Sequence, residues 1–173
     1  MTTNPFELYV VVAQIAAAFA GFGSLAGGLG QRGASEDTSV DATRLTLMLF
    51  ASLSATLLGL IPATLAGLLL DDRLAIRASA LVALAAAAGY IIVGVPRALR
   101  LRRIPGFSRR GVVANFVCAL IAFSAFGVCS LGVPSDRVAA VYMLGLMGLL
   151  GSSTIMFAHV IASMLRPHQE GSS

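Results

Sequence analysis

Three polar side chains stand out because each lies inside a long apolar stretch: His159, Asn115 and Tyr90. Histidine is the side chain that most readily changes charge near neutral pH, so it can serve a proton or ligand site. At a rise of 1.5 Å per helical residue, each of the three lies roughly 7 to 10 Å along its helix from the nearest arginine that flanks the apolar stretch. The spacing therefore predicts one polar layer, in which His159 hydrogen-bonds to Asn115 or to Tyr90.

A second interpretation of this layer stays open. A neutral histidine, an asparagine and a tyrosine can each be satisfied by a neighbouring helix and do nothing more than hold helices together. Gln14, in the outer half of its stretch and apart from the layer, is predicted to hold helices together in the same way. The hydroxyls of Ser152–Ser153–Thr154 either line a narrow hydrated path or bond back to carbonyls of their own helix.

The sequence lacks the motifs of common catalytic and metal sites. It contains no nucleophile elbow, zinc-protease or phosphate-loop pattern, and it has only two cysteines and two histidines. Cys118 and Cys129 are separated by about 16 Å along one predicted helix, too far for a disulfide. No charged residue lies at the centre of an apolar stretch, which disfavours ion-coupled transporters and voltage sensors. We therefore predict no enzyme activity, no metal and no cofactor.

The elements that position these residues follow from composition. Hydrophobic residues make up 57% of the 173-residue chain and charged residues 12%, about half the usual share in a soluble domain. A net charge of +4 gives little support for nucleic-acid binding. Apolar runs of about 20 residues predict membrane-spanning helices rather than the short alternating strands of a barrel. The prediction is an all-α bundle of five spans in one domain, 1–166, before a polar tail, 167–173. The spans are 8–29, 45–70, 78–95, 112–131 and 138–165.

Arginine placement predicts the orientation of these spans. The loop 96–110 holds six arginines and no acid: Arg97, Arg100, Arg102, Arg103, Arg109 and Arg110. By the positive-inside rule this loop is cytoplasmic, which places the N-terminus outside and the C-terminus inside. The same arginines are predicted to contact anionic lipid headgroups, at about 1 kcal/mol each, unless their role is only to fix topology.

Small residues recur at intervals that bring them to one helix face. Such residues let helix backbones approach closely in lipid. The second span carries Ala51, Ala55, Gly59, Ala63 and Gly67, and the fifth carries Gly145, Gly148 and Gly151. These faces either pack the helices of one protomer or form an oligomer interface. A protein this small and this rich in such faces is expected to use both, so we predict a homo-oligomer.

Pro62 lies in the middle of the second predicted span. Its ring removes one backbone hydrogen bond and is expected to kink the helix. The hydroxyls of Ser54, Thr56 and Thr64 are near enough in sequence to satisfy the freed carbonyl. A fixed kink and a hinge are both compatible with this position.

Two segments carry a family resemblance. Ala13–Leu25 reads AQIAAAFAGFGSL and Arg44–Pro62 reads RLTLMLFASLSATLLGLIP. Together they resemble a group of small, uncharacterised bacterial multi-pass inner-membrane proteins. The resemblance covers about the first third of the chain. It implies a location in the bacterial inner membrane and brings no known activity or catalytic residues. Many members have an acidic residue early in the first helix, where this chain has Gln14, with Glu7 at the helix edge.

Two functions remain as expectations. The first is a structural, accessory or signalling membrane component without catalytic activity. A homo-oligomer is expected, and this function is also compatible with a monomer or with a chain bound to another membrane protein. The second is an oligomeric channel or small transporter for an ion or proton. Its path would use the polar layer of His159, Asn115 and Tyr90, which the predicted topology places in the cytoplasmic leaflet. A pore needs a hydrated path, so the second function requires a symmetric assembly around an axis.

Overall fold

The computed structural model describes residues 5–30, 37–69, 71–101, 109–132 and 137–164. These residues form five α-helices and no strand, so the predicted all-α fold is confirmed. The helices are α1 (Pro5–Gly30), α2 (Asp37–Leu69), α3 (Asp72–Leu101), α4 (Arg109–Leu131) and α5 (Val138–Met164).

Four of the helices contain a segment long and apolar enough to cross a membrane. The segments are Phe6–Leu25, Leu45–Leu68, Val113–Leu131 and Val138–Ala162. Large aliphatic and aromatic side chains of all five helices lie exposed on the outside of the bundle. This combination supports a multi-pass protein embedded in a membrane.

The helix bounds differ from the predicted ones at the polar ends. α2 begins at Asp37 rather than at 45, so its first two turns are polar helix beyond the apolar run. α3 continues through Pro96 to Leu101, where the sequence predicted the start of a loop. A proline removes only one helical hydrogen bond, so a helix can continue past it. α4 ends as predicted at Leu131, where Gly132 takes a positive φ of 97° that stops the helix.

Successive helices run antiparallel, and α5 lies at the centre. α5 packs against each of the other four helices, and α2 packs against α1, α3 and α5. At one end, the Tyr9 hydroxyl donates to the Ala139 carbonyl at 3.0 Å, so the start of α1 meets the start of α5. At the other end, Ser153 contacts Met48, so the second half of α5 meets the first half of α2. We call these ends the outer and inner halves, after the predicted topology.

An aromatic cluster fills the outer half. Tyr9, Phe126 and Tyr142 are fully buried. The ring of Tyr142 lies 5.3 Å from that of Tyr9 and 5.3 Å from that of Phe126, measured between centroids, and Phe6 contacts Tyr9 edge-on. Edge contacts of this kind contribute beyond the area that they bury. They tie α1, α4 and α5 together.

Candidate functional site

His159 lies on the inner half of α5 and packs against α4. Its side chain is half-buried, and its ring occupies the space where a side chain at Gly111 would begin. Nδ1 is 2.8 Å from the Ile155 carbonyl, one turn earlier in the same helix, so in the neutral ring this nitrogen carries the proton as donor. The glycine therefore creates the site for the imidazole, because any larger residue at 111 would collide with it.

Asn115 lies one helical turn from Gly111 on the same side of α4. The Ser152 hydroxyl of α5 donates to its Oδ1 at 2.5 Å. Ser152 in turn lies two turns before His159 on α5, so the two contacts follow one another along a single seam between α4 and α5. The structure thus brings His159 and Asn115 to neighbouring levels of one seam.

The hydrogen bonds described for these residues differ from the predicted arrangement. His159 bonds to its own helix and Asn115 bonds to Ser152, while a bond from His159 to Asn115 or Tyr90 stays a prediction. The Tyr90 side chain lies outside the described part of the structure. Ser152 was predicted either to line a hydrated path or to bond to its own helix. The structure instead shows it bonded to Asn115 across the seam.

A second polar contact joins α2 to α5. The hydroxyls of Ser52 and Ser153 are hydrogen-bonded to each other, and both side chains are fully buried. Ser153 also lies 3.4 Å from the Met48 carbonyl. Of the three consecutive hydroxyls in α5, only Thr154 bonds back to its own helix, at the Leu150 carbonyl. Ser52 was not among the predicted residues, although it lies one helical turn before Ala55, on the buried side of the row of small residues.

The carbonyl freed by Pro62 has a partner that the sequence did not reveal. Proline lacks an N–H, so the carbonyl four residues earlier, at Leu58, loses its helical donor. The Tyr142 hydroxyl of α5 donates to that carbonyl at 2.7 Å. Thr56 instead bonds to the Ser52 carbonyl, and Thr64 to the Leu60 carbonyl. The prediction that nearby hydroxyls satisfy the freed carbonyl is therefore wrong, because a tyrosine on another helix reaches it.

The row of small residues on α2 is divided between two environments. Ala51, Ala55 and Gly59 are buried, whereas Ala63 is half-buried and Gly67 is exposed. A Cβ at Gly59 would lie 2.7 Å from the Tyr9 carbonyl oxygen of α1, and a Cβ at Gly67 would meet nothing within 4 Å. The first half of the row therefore packs α2 against α1 within one protomer.

The glycines of α5 serve the contact with α4. A Cβ at Gly148 would lie 2.9 Å from the Cys118 carbonyl oxygen and 3.0 Å from the Ala122 nitrogen. A Cβ at Gly145 would press on the Phe126 ring. The three-residue spacing of glycines thus holds two helices of the same protomer close together.

Several predicted features fall where the structure gives little or no description. Arg102 and Arg103 lie outside the described residues, as do the side chains of Arg97, Arg100, Arg109 and Arg110. Lipid contact by the loop 96–110 therefore stays a prediction. Both cysteines are free, with Cys129 buried, and the described residues contain no group of three or more metal-binding side chains.

No protein-family model, curated protein or solved structure matched the chain.

Proposed function

We propose that this protein is a small bacterial inner-membrane protein with a structural, accessory or signalling role and no catalytic activity of its own. The observation that carries the proposal is the use of its interior polar groups. Within the described residues, every buried side-chain nitrogen or oxygen has a hydrogen-bond partner. The hydroxyls of Tyr9, Tyr142 and the Ser52–Ser153 pair join helices, as expected for interhelical bonds in lipid, whereas buried Ser79 bonds to the Ala75 carbonyl of its own helix.

The proposal includes α3 as a fifth crossing helix. Its 30 residues extend roughly 45 Å, more than the hydrocarbon thickness of about 30 Å. It packs between α2 and α4, both of which contain apolar segments long enough to cross. It exposes Leu74, Leu81, Val82 and Ile92 on its outer surface. Five crossings place the two termini on opposite sides, and the arginine-rich loop then places the N-terminus outside.

A second candidate function is an oligomeric channel or small transporter for an ion or proton. The observation that favours it is the seam between α4 and α5, where the half-buried His159 and Asn115 occupy neighbouring levels. Under either function, we propose that the arginine-rich loop 96–110 contacts anionic lipid headgroups. An additional membrane protein is a proposed partner in both cases.

Proton flux into liposomes distinguishes the two functions. For the leading proposal we expect reconstituted protein to give the same flux as empty liposomes. His159→Ala is then expected to lower thermal stability only, because it empties the space over Gly111. Thr64→Val is the control, since Thr64 is exposed, bonds to its own helix and lies outside the candidate path. A flux that His159→Ala abolishes and Thr64→Val preserves would favour the transporter.

A further inference from the structure

Gln14 of α1 presents a polar side chain to the outside of the bundle. It is exposed and lies eight residues into the apolar segment that begins at Phe6, roughly 12 Å from that end. This depth places the carboxamide well inside the hydrocarbon layer, which is about 30 Å thick. Among the described residues, no hydrogen bond reaches this carboxamide.

Three other outward-facing polar side chains of the apolar segments are satisfied within their own helices. Ser24, Thr64 and Thr154 are exposed, and each donates to the carbonyl four residues earlier in its own helix. A hydroxyl reaches such a carbonyl by simple rotation. A carboxamide carries two N–H donors and an acceptor oxygen, so it cannot be satisfied in that way. In lipid it therefore needs a partner beyond its own helix.

The surface around Gln14 allows another helix to approach closely. Ala17, Ala18 and Gly21 are exposed near it on α1, and a Cβ at Gly21 would meet nothing within 4 Å. The buried side of α1, which includes Tyr9, Val12, Ala13, Ala16 and Ala20, faces the bundle. The polar carboxamide and the small residues thus share the side that is turned away from the protomer.

We infer that this side of α1 pairs with α1 of a second copy of the chain, with the two Gln14 side chains hydrogen-bonded across a twofold axis. A carboxamide is both donor and acceptor, so it is complementary to a copy of itself. Two copies inserted in the same orientation bring Gln14 to Gln14 at the same depth. Small residues beside it let the backbones come close, as interhelical bonds in membranes require. The inference rests on the membrane placement in the proposed function, and it names the interface of the expected homo-oligomer.

The first test compares Gln14→Leu with wild type by single-molecule photobleaching in lipid vesicles across a dilution series. Leucine has a similar size, and the Gln14 side chain makes no hydrogen bond to the described residues of its own protomer, so the fold is expected to persist. We expect the dimer dissociation constant to rise about tenfold or more, in line with the strength of interhelical hydrogen bonds. Ile15→Leu is the control, because Ile15 lies at the same depth, exposed on a different side of α1. It should leave the constant unchanged.

Disulfide crosslinking then locates the interface. Ala18→Cys is expected to yield crosslinked dimers under mild oxidation, and Ile15→Cys is expected to give only the background of the wild-type chain. Equal dissociation constants for Gln14→Leu and wild type would overturn the inference, as would equal crosslinking at the two positions. Neither result affects the proposed function. A chain that alkaline carbonate extracts from membranes would overturn the inference and the proposed function together.

Discussion

The outer and inner halves of the bundle are held together by different kinds of hydrogen bond. In the outer half, the hydroxyls of Tyr9 and Tyr142 donate to backbone carbonyls of other helices. In the inner half, two of the bonds between helices join side chain to side chain, Ser152 with Asn115 and Ser52 with Ser153, beside a contact from Ser153 to the Met48 carbonyl. A carbonyl only accepts, so each outer bond has a fixed direction. Hydroxyls and amides can act as donor or acceptor, so these inner pairs can rearrange their hydrogen bonds without moving a helix.

Glycine packing gives the largest expected effect and tests whether the seam between α4 and α5 is rigid. Gly148→Ala would place its methyl group against the backbone of Cys118 and Ala122, which cannot rotate away as a side chain can. We expect a loss of about 1–3 kcal/mol in the free energy of unfolding, measured by denaturant titration in micelles. Gly67→Ala is the control, because its methyl group meets nothing within 4 Å. Equal stabilities for the two variants would show that the seam relaxes.

The second-largest effect is expected at the hydrogen bond from Tyr142 to the carbonyl freed by Pro62. It tests whether the outer half depends on fixed carbonyl acceptors. Tyr142→Phe removes the donor to the Leu58 carbonyl, and we expect a loss of about 1–2 kcal/mol. In a Pro62→Ala background the restored N–H can bond to the same carbonyl, so the loss should be at least halved. A double-mutant cycle on unfolding free energies measures this coupling. Additive effects would mean that the hydroxyl does not compensate for the proline.

The smallest effect is expected in the inner half, where hydrogen-bond partners can be exchanged. Ser153→Ala removes one hydroxyl of the buried pair with Ser52. We expect a loss of about 0.6 kcal/mol, the average for such bonds in membranes, because Ser52 can turn to a carbonyl of its own helix. Thermal unfolding of Ser153→Ala and Tyr142→Phe, measured side by side, shows which half of the bundle loses more stability. A larger loss for Ser153→Ala than for Tyr142→Phe would reverse the comparison.

The sequence could predict the helices because apolar runs set their number and approximate ends. It could not predict how each helix is rotated or which helix lies at the centre. The partner of the Pro62-freed carbonyl is Tyr142, a residue far along the chain from Leu58, so local spacing pointed to the wrong hydroxyls. His159 and Asn115 were found as polar interruptions of apolar runs. The role of Gly111 in seating His159 needs the relative rotation of α4 and α5, which composition does not encode.

The central position of α5 has a consequence for how the protein is made. Ribosomes synthesise chains from the N-terminus, so α1 to α4 are made before the helix around which they pack. Until α5 arrives, the Tyr9 hydroxyl lacks its acceptor on Ala139, and Ser52 lacks Ser153. The contacts that α5 makes with the other four helices therefore form last, and a chain interrupted before Val138 would leave these groups without their partners.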